Sequence, residues 1–211
     1  YHTVDYGEGH PKADKLARCL RANNFIPPQD WCVYLILDPG TRRPALLWVA
    51  IPPGEFWYQG RPFYIPYNEL TGRMHAGIMA HRAKMMEPRR VYQRFVIDAK
   101  MGDQTPPGAV EQVKSAYTRA FKHEGLRSVE TSSRFQPGET AWIVRSMALR
   151  EMMLPVAPGA EWPALRVVSH KCPQLVSQIR RNIRQVSKHD IQDKRASGQV
   201  DDLLDSLEYF A

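Results

Sequence analysis

Five aspartates stand where the sequence pattern would hold a carboxylate in place. They are Asp38, Asp98, Asp201, Asp202 and Asp205. The first two each follow a run of apolar residues, at 33–37 and 95–97. A carboxylate at the carboxyl end of a buried strand is held rigidly in low-dielectric surroundings, where an unpaired charge is costly. The other three fall within about one and a half turns of a C-terminal helix, if the helix advances about 100° per residue.

This set of residues predicts a metal site. Carboxylate oxygens are the ligands that Mg²⁺ and Mn²⁺ prefer. In a site with two such ions about 4 Å apart, one activates water and the other stabilises the leaving 3′ oxygen of a phosphodiester. We therefore expect a pair of Mg²⁺ or Mn²⁺ ions where the strand-end and helix-borne carboxylates meet.

A structural interpretation of each aspartate stays open beside the chemical one. Asp38 could cap the Pro-Gly turn that follows it, and Asp98 could cap the next loop. Asp201 and Asp202 would lie favourably at the positive end of a helix. Asp205 lies too far into that helix to gain much from its dipole, which favours a ligand role for the cluster.

Apolar runs and helical periodicity predict an α/β fold with a mixed central sheet of about five main strands, the first three antiparallel, flanked by helices. The predicted strands cover residues 33–37, 45–51, 62–66, 91–97 and 165–169. The prolines of the third strand favour an edge position. The predicted helices cover residues 12–21, 71–87, 106–125, 139–154, 173–186 and 200–210. In the predicted helix at residues 106–125, Val110 is expected to face the core and Gly125 to end the helix.

Composition suggests the class of partner. The formal net charge of +7 favours nucleic acid or another anionic surface. The sequence contains neither an apolar run of membrane-spanning length nor a signal peptide, so we expect no membrane partner. Three widely spaced cysteines indicate neither a disulfide framework nor a zinc site, which fits a reducing cytoplasm.

Basic residues near the strand ends are candidates for contacts with DNA phosphates. Those expected to bind DNA are Lys100, Arg94, Lys171, Arg180 and Arg184. Lys100 is favoured for the scissile phosphate because it follows Asp98 by two residues. For the arginines of the helix after residue 173, a solvated helix face is an equally good interpretation.

Four local motifs, in this order, resemble the nuclease domain of the large terminase subunit of tailed bacteriophages. They are Asp38-Pro39-Gly40, Ile97-Asp98, Cys172-Pro173-Gln174-Leu175 followed by Gln178, and Asp201-Asp202-Leu203-Leu204-Asp205-Ser206-Leu207-Glu208-Tyr209. The resemblance spans about residues 32–210, and its last motif is the most specific. Ser206 stands where the family pattern has Ala, and Glu208 where a basic residue is common.

The resemblance implies an RNase H-like fold with Asp38, Asp98 and Asp202 as the catalytic metal ligands. Asp201 and Asp205 would help to hold the second ion. It also implies that residues 32–211 are the nuclease domain and that residues 1–31 are a lead-in from an N-terminal ATPase domain of the same polypeptide.

The activity implied by the resemblance is endonucleolytic cleavage of concatemeric viral double-stranded DNA during genome packaging, with little sequence specificity. The portal and the small terminase subunit would be its partners in the host cell cytoplasm. Two alternatives remain. One is a restriction-endonuclease-like nuclease that uses Asp38, Asp98 and Lys100, and the other is a non-catalytic DNA-binding module of a packaging motor.

Overall fold

The computed structural model describes residues 2–3, 11–40, 43–139, 142–154, 163–186 and 202–210. Its strands are β1 (His2–Thr3), β2 (Cys32–Asp38), β3 (Ala45–Ile51), β4 (Ile65–Thr71), β5 (Val91–Tyr92), β6 (Arg94–Ile97), β7 (Arg127–Ser128), β8 (Phe135–Pro137) and β9 (Arg166–Val167). Its α-helices are α1 (Pro11–Ala22), α2 (Ala76–Met86), α3 (Ala99–Gly102), α4 (Val113–His123), α5 (Trp142–Met153), α6 (Pro173–Val186) and α7 (Asp202–Phe210).

The central sheet has five strands in the order β4-β3-β2-β6-β8. The strands β2, β3 and β4 pair antiparallel, whereas β6 runs parallel to β2 and β8 runs parallel to β6. The prediction of a mixed α/β sheet whose first three strands are antiparallel is therefore confirmed.

Helices cover both faces of this sheet, which explains why β2 and β3 are apolar along almost their whole length. On one face, Leu35 belongs to a core that α1, α2 and α4 complete. On the other face, Ile36 belongs to a second core that includes residues of α5, α6 and α7. Successive residues of β2 thus alternate between two hydrophobic layers, as the pleat of a strand requires.

Two strand predictions need correction. The third strand begins and ends later than predicted, at Ile65–Thr71. It is an edge strand of the central sheet, as expected. The fifth strand of the central sheet is Phe135–Pro137, not residues 165–169. From the latter segment only Arg166–Val167 is a strand, and it pairs with His2–Thr3 outside the central sheet.

Helix boundaries also differ from the sequence pattern. The helix predicted from the Pro106-Pro107 pair begins only at Val113, and Val110 is fully exposed, so its assignment to the core was wrong. Its end was predicted correctly, because Gly125 follows the last turn with φ of 69°, a conformation that favours glycine.

The segment before residue 32 packs against the domain. Leu16, Ala17 and Leu20 of α1 are buried in the first core, together with Trp31. This segment therefore contributes to the hydrophobic core, and the assignment of residues 1–31 as a lead-in from an ATPase domain stays a prediction. The prediction for residues 4–10 falls outside the described part of the chain.

A buried polar network links the first core to the end of α2. Glu87 pairs with Arg90 at 3.4 Å and accepts hydrogen bonds from Tyr67 and Tyr92 at 2.8 and 3.3 Å. Arg90 in turn donates to the carbonyl oxygen of Pro28 at 2.8 Å. Glu87 and Arg90 are 6% and 4% exposed, so each charge depends on the other.

The substitution Glu87→Gln should test this dependence. It keeps the shape of the side chain but leaves the charge of Arg90 buried without its partner, so the free energy of unfolding should fall by about 3 kcal/mol or more. Urea denaturation measures the change. The matched control is Glu55→Gln, which removes an exposed ion pair with Lys15 and should cost less than about 1 kcal/mol. Equal losses in the two variants would contradict the interpretation.

Candidate functional site

The parallel pairing of β2 with β6 places Asp38 and Asp98 side by side. Leu37 is opposite Ile97 in the register, and the backbone N–H of Asp98 donates to the carbonyl oxygen of Leu37 at 3.1 Å. Neighbouring strands lie about 4.8 Å apart, so the two aspartates that follow this pair are adjacent at the carboxyl edge of the sheet. Ligands of α/β sheets characteristically bind at this edge.

Asp38 is oriented by the turn that follows it. Its Oδ1 accepts a hydrogen bond from the N–H of Gly40 at 3.0 Å, and the residue is only 7% exposed. A Cβ atom on Gly40 would lie 2.9 Å from the carbonyl oxygen of Arg43, so the tight turn requires glycine. The capping role considered for Asp38 is therefore present, and it fixes the direction of the carboxylate.

Asp98 caps the short helix α3. Its Oδ1 accepts hydrogen bonds from the backbone N–H groups of Lys100 and Met101, at 2.8 and 3.4 Å. The capping role expected for this residue is also present. Capping and metal binding are compatible, because a carboxylate has two oxygens and about four lone-pair sites.

Tyr117 of α4 brings a phenol close to Asp38. Burial, and secondarily the negative charge of Asp38, raise the pKa of Tyr117 to about 12. The phenol therefore stays protonated across the neutral range. Sequence analysis assigned Tyr117 only to the core, since its spacing on α4 does not show which strand end it approaches.

The helix α7 packs on the second face of the sheet, against β2, β3 and β6. The ring of Phe210, at its end, contacts the ring of Tyr34 with a centroid distance of 4.9 Å. Tyr34 lies in β2, four residues before Asp38. The side chain of Asp202 and the whole of Asp201 lie outside the described residues.

The N-terminus of α7 is held by a side chain from α6. The buried Gln178 accepts hydrogen bonds through its Oε1 from the N–H groups of Leu203 and Leu204, at 3.1 and 2.9 Å. These N–H groups have no partner within the helix, so Gln178 supplies the cap from a neighbouring element. Sequence analysis noted Gln178 only within a motif, because a cap from 25 residues away leaves no local signal.

A carboxylate caps α6 in the same way. Glu69 of β4 accepts hydrogen bonds from the N–H groups of Gln174 and Leu175, at 2.8 and 2.9 Å. Burial raises the pKa of Glu69, and these two hydrogen bonds oppose that rise. The preceding Cys172 is buried, which fits a structural role for the Cys-Pro-x-Leu segment.

A metal site can be tested in part against these positions. Within the described ranges, no three His, Cys, Asp or Glu side chains lie close enough to share a metal ion. That search includes Asp205, so Asp205 does not complete a three-ligand set with Asp38 and Asp98. Of the three C-terminal aspartates, Asp202 and Asp201 stay candidates for a third carboxylate. The oxygen donors of Asp38 and Asp98 fit Mg²⁺ or Mn²⁺.

Two of the candidate DNA-binding residues lie away from this edge. Arg94 is at the opposite end of β6 from Asp98, and its Nε donates to Glu130 at 2.6 Å. The ammonium group of Lys171 donates to the carbonyl oxygen of Asn24 at 2.7 Å. The structure therefore does not bring Arg94 or the Lys171 ammonium group to the carboxylate pair.

The other candidate cations are placed as follows. Lys100 is exposed on α3, directly after Asp98. Because these residues lie in a helical turn, their two-residue spacing does not put both side chains on one face, as it would in a strand. Arg180 is exposed on α6, and the side chain of Arg184 lies outside the described residues.

The fold and these positions define an α/β protein with a mixed five-stranded sheet, flanked by helices, whose carboxyl edge carries a pair of aspartates. No protein-family model matches this chain, and a search of curated proteins finds no match. Among the described helices, none is both long and apolar enough to cross a membrane.

The cap that Gln178 provides predicts a stability effect. Gln178→Ala should lower the free energy of unfolding by about 1–3 kcal/mol, because two buried N–H groups lose their acceptor. The matched control is Gln174→Ala, which removes an exposed amide from the same helix and should cost less than about 0.5 kcal/mol. Chemical denaturation compares the two, and similar stabilities would contradict the capping role.

The proximity of Asp38 and Tyr117 predicts a change in titration. In Asp38→Asn the pKa of Tyr117 should fall below about 12 while staying above the usual value for tyrosine, because the negative charge is removed but burial remains. NMR of protein with ¹³C-labelled tyrosine rings measures this pKa. Asp103→Asn, which removes an exposed carboxylate, should leave it unchanged; an unchanged pKa in Asp38→Asn would refute the contact.

Proposed function

We propose that this chain is a metal-dependent endonuclease that hydrolyses double-stranded DNA, with Asp38, Asp98 and Asp202 as its catalytic carboxylates. The observation that carries the proposal is the adjacency of Asp38 and Asp98, which the register of β2 and β6 imposes. Its second support is the packing of α7, whose first residue is Asp202, against β2 and β6. Sixty residues separate the two strand ends in sequence, yet both carboxylates meet at one edge.

The finer fold assignment is part of the proposal. Three antiparallel strands, then parallel strands, and a final helix with an acidic N-terminal turn are consistent with an RNase H-like layout. The packing of α7 against β2, β3 and β6 supports this assignment, since it puts the C-terminal helix on the strands that lead to Asp38 and Asp98.

Asp38, Asp98 and Asp202 would hold the Mg²⁺ or Mn²⁺ ions. When bound, such ions lower the pKa of a coordinated water and stabilise charge on the leaving oxygen. Overall, the oxygen of a water joins the phosphorus, and the bond to the 3′ oxygen breaks. The protein orients Asp38 through Gly40 and Asp98 through the N-terminus of α3, so both carboxylates are positioned before substrate arrives.

The biological role that we propose is that of a terminase nuclease domain, which cuts concatemeric viral DNA during packaging. The four motifs at residues 38–40, 97–98, 172–178 and 201–209 support it. Under this proposal the chain works with an ATPase domain of the same polypeptide, a portal and a small terminase subunit, in the cytoplasm of the host cell.

A plasmid-nicking assay with Mn²⁺ tests the proposed activity. The wild-type protein should convert supercoiled DNA to nicked and linear forms, and EDTA should stop the reaction. Asp38→Asn, Asp98→Asn and Asp202→Asn should each lower the rate at least about a hundredfold, since each removes the charge of a metal ligand. Asp30→Asn, which changes an exposed aspartate before the start of β2, is the matched control and should cut at the wild-type rate.

The same assay separates the alternatives. Wild-type cleavage that persists in Asp38→Asn would contradict the nuclease proposal and would leave a DNA-binding module. If Lys100→Ala abolished cleavage while Asp202→Asn did not, the restriction-endonuclease-like assignment would replace the RNase H-like one. The helical setting of Lys100 argues against that result.

A further inference from the structure

We propose that a groove between α4 and β8 binds the phosphate backbone of double-stranded DNA next to the carboxylate pair. We call it the α4 groove. Four cationic side chains line it, namely Lys114, Arg119, Lys122 and Arg134. Its volume is about 470 Å³. The inference rests on the proposed function for the identity of the substrate, but it concerns residues to which the sequence motifs assign no role.

The helix α4 presents its polar groups in a regular row. Lys114, Thr118 and Lys122 are spaced four residues apart and line the same groove. At about 1.5 Å per residue, this spacing places one polar group every 6 Å or so along the helix axis. The opposite wall carries Arg134, immediately before β8. A linear row of ammonium and hydroxyl groups matches an extended polyanion better than it matches a compact ligand.

The charges of the α4 groove are available to a phosphate. Lys122 and Arg134 are exposed and form no ion pair with any residue in the described ranges. Lys114 pairs with Asp103 at 2.8 Å, and Arg119 pairs with Glu111, but these pairs are partly exposed to solvent. Exposed ion pairs contribute at most about 1 kcal/mol, so a phosphate can replace either carboxylate at little cost.

The α4 groove lies beside the proposed site. Phe135, which lines the groove, is opposite Phe95 in the parallel register, and two residues later Pro137 is opposite Ile97. The row that contains Asp98 is one residue beyond Ile97, so it lies three residues, or about 10 Å along the strand, from Phe135. On the other wall, Lys114 of α4 pairs at 2.8 Å with Asp103, which directly follows the helix that Asp98 caps.

Contacts of this kind fix the path of the DNA without reading its sequence, because phosphates are the same at every base pair. The α4 groove would therefore hold one strand while its scissile phosphate lies at the carboxylates. This agrees with the low sequence specificity in the proposed function.

The test compares two double variants of equal charge. Lys122→Ala/Arg134→Ala removes two cations of the α4 groove, and Arg18→Ala/Arg89→Ala removes two exposed cations that do not line it. Fluorescence anisotropy measures the binding of a labelled duplex in EDTA over a range of salt concentrations. The groove variant should bind more weakly on every duplex sequence, and the slope of log K against log salt should fall by about 2. The control should keep the wild-type slope, and circular dichroism should show both variants folded.

Three results would overturn the inference: no binding of DNA by the wild type, an unchanged slope in the groove variant, or an equal fall in both variants. With an unchanged slope, an acidic protein surface would replace DNA as the proposed occupant of the α4 groove. These three results differ from the result that would contradict the nuclease proposal. A protein that binds DNA with the predicted slopes but never nicks a plasmid supports the groove alone, and one that nicks with unchanged slopes supports the nuclease alone.

Discussion

The hydrogen bond from the N–H of Asp98 to the carbonyl oxygen of Leu37 fixes the register of two parallel strands at their carboxyl ends. A slip of one residue would turn every side chain of β6 to the opposite face of the sheet and would move Asp98 away from Asp38. The apolar residues of the pair exclude such a slip, because Phe95 and Val96 belong to different cores. The hydrophobic pattern that stabilises the sheet therefore also brings the carboxylates together.

A chain of helix caps extends this arrangement to the C-terminal helix. Glu69 of β4 holds the N-terminus of α6, and Gln178 of α6 holds the N-terminus of α7. Each cap satisfies two N–H groups that a helix leaves without partners, and each comes from a different element. The N-terminus of α7 is consequently linked to the sheet through two side chains, Gln178 of α6 and Glu69 of β4. A polar residue such as Gln178 is buried here because its acceptor has a specific task, and a hydrophobic residue of the same size would leave two donors unsatisfied.

The sequence predicted the features that depend on long apolar runs or on local turn chemistry. The strands β2 and β3 are examples, and so is the end of α4 at Gly125. It did not predict β8, since only Phe135 of this three-residue strand is buried and its regularity comes from pairing with β6. The candidate site divides in the same way. The strand-end positions of Asp38 and Asp98 could be inferred from sequence, whereas the proximity of Tyr117 depends on how α4 packs.

Electrostatics decides which basic residues can serve the proposed site. Two adjacent carboxylates repel the phosphates that they are proposed to process, and this repulsion is strong at Asp38, where little solvent screens it. At physiological salt the screening length is about 8 Å, so a cation must lie within roughly that distance to offset the repulsion. Arg94 begins four residues before Asp98, about 13 Å away along the strand, and is already paired. In the α4 groove, Lys114 pairs at 2.8 Å with Asp103, which directly follows the helix that Asp98 caps. The net charge of +7 therefore favours DNA binding in general, and the positions of Lys100 and Lys114 around α3 favour contact with a phosphate at the carboxylates.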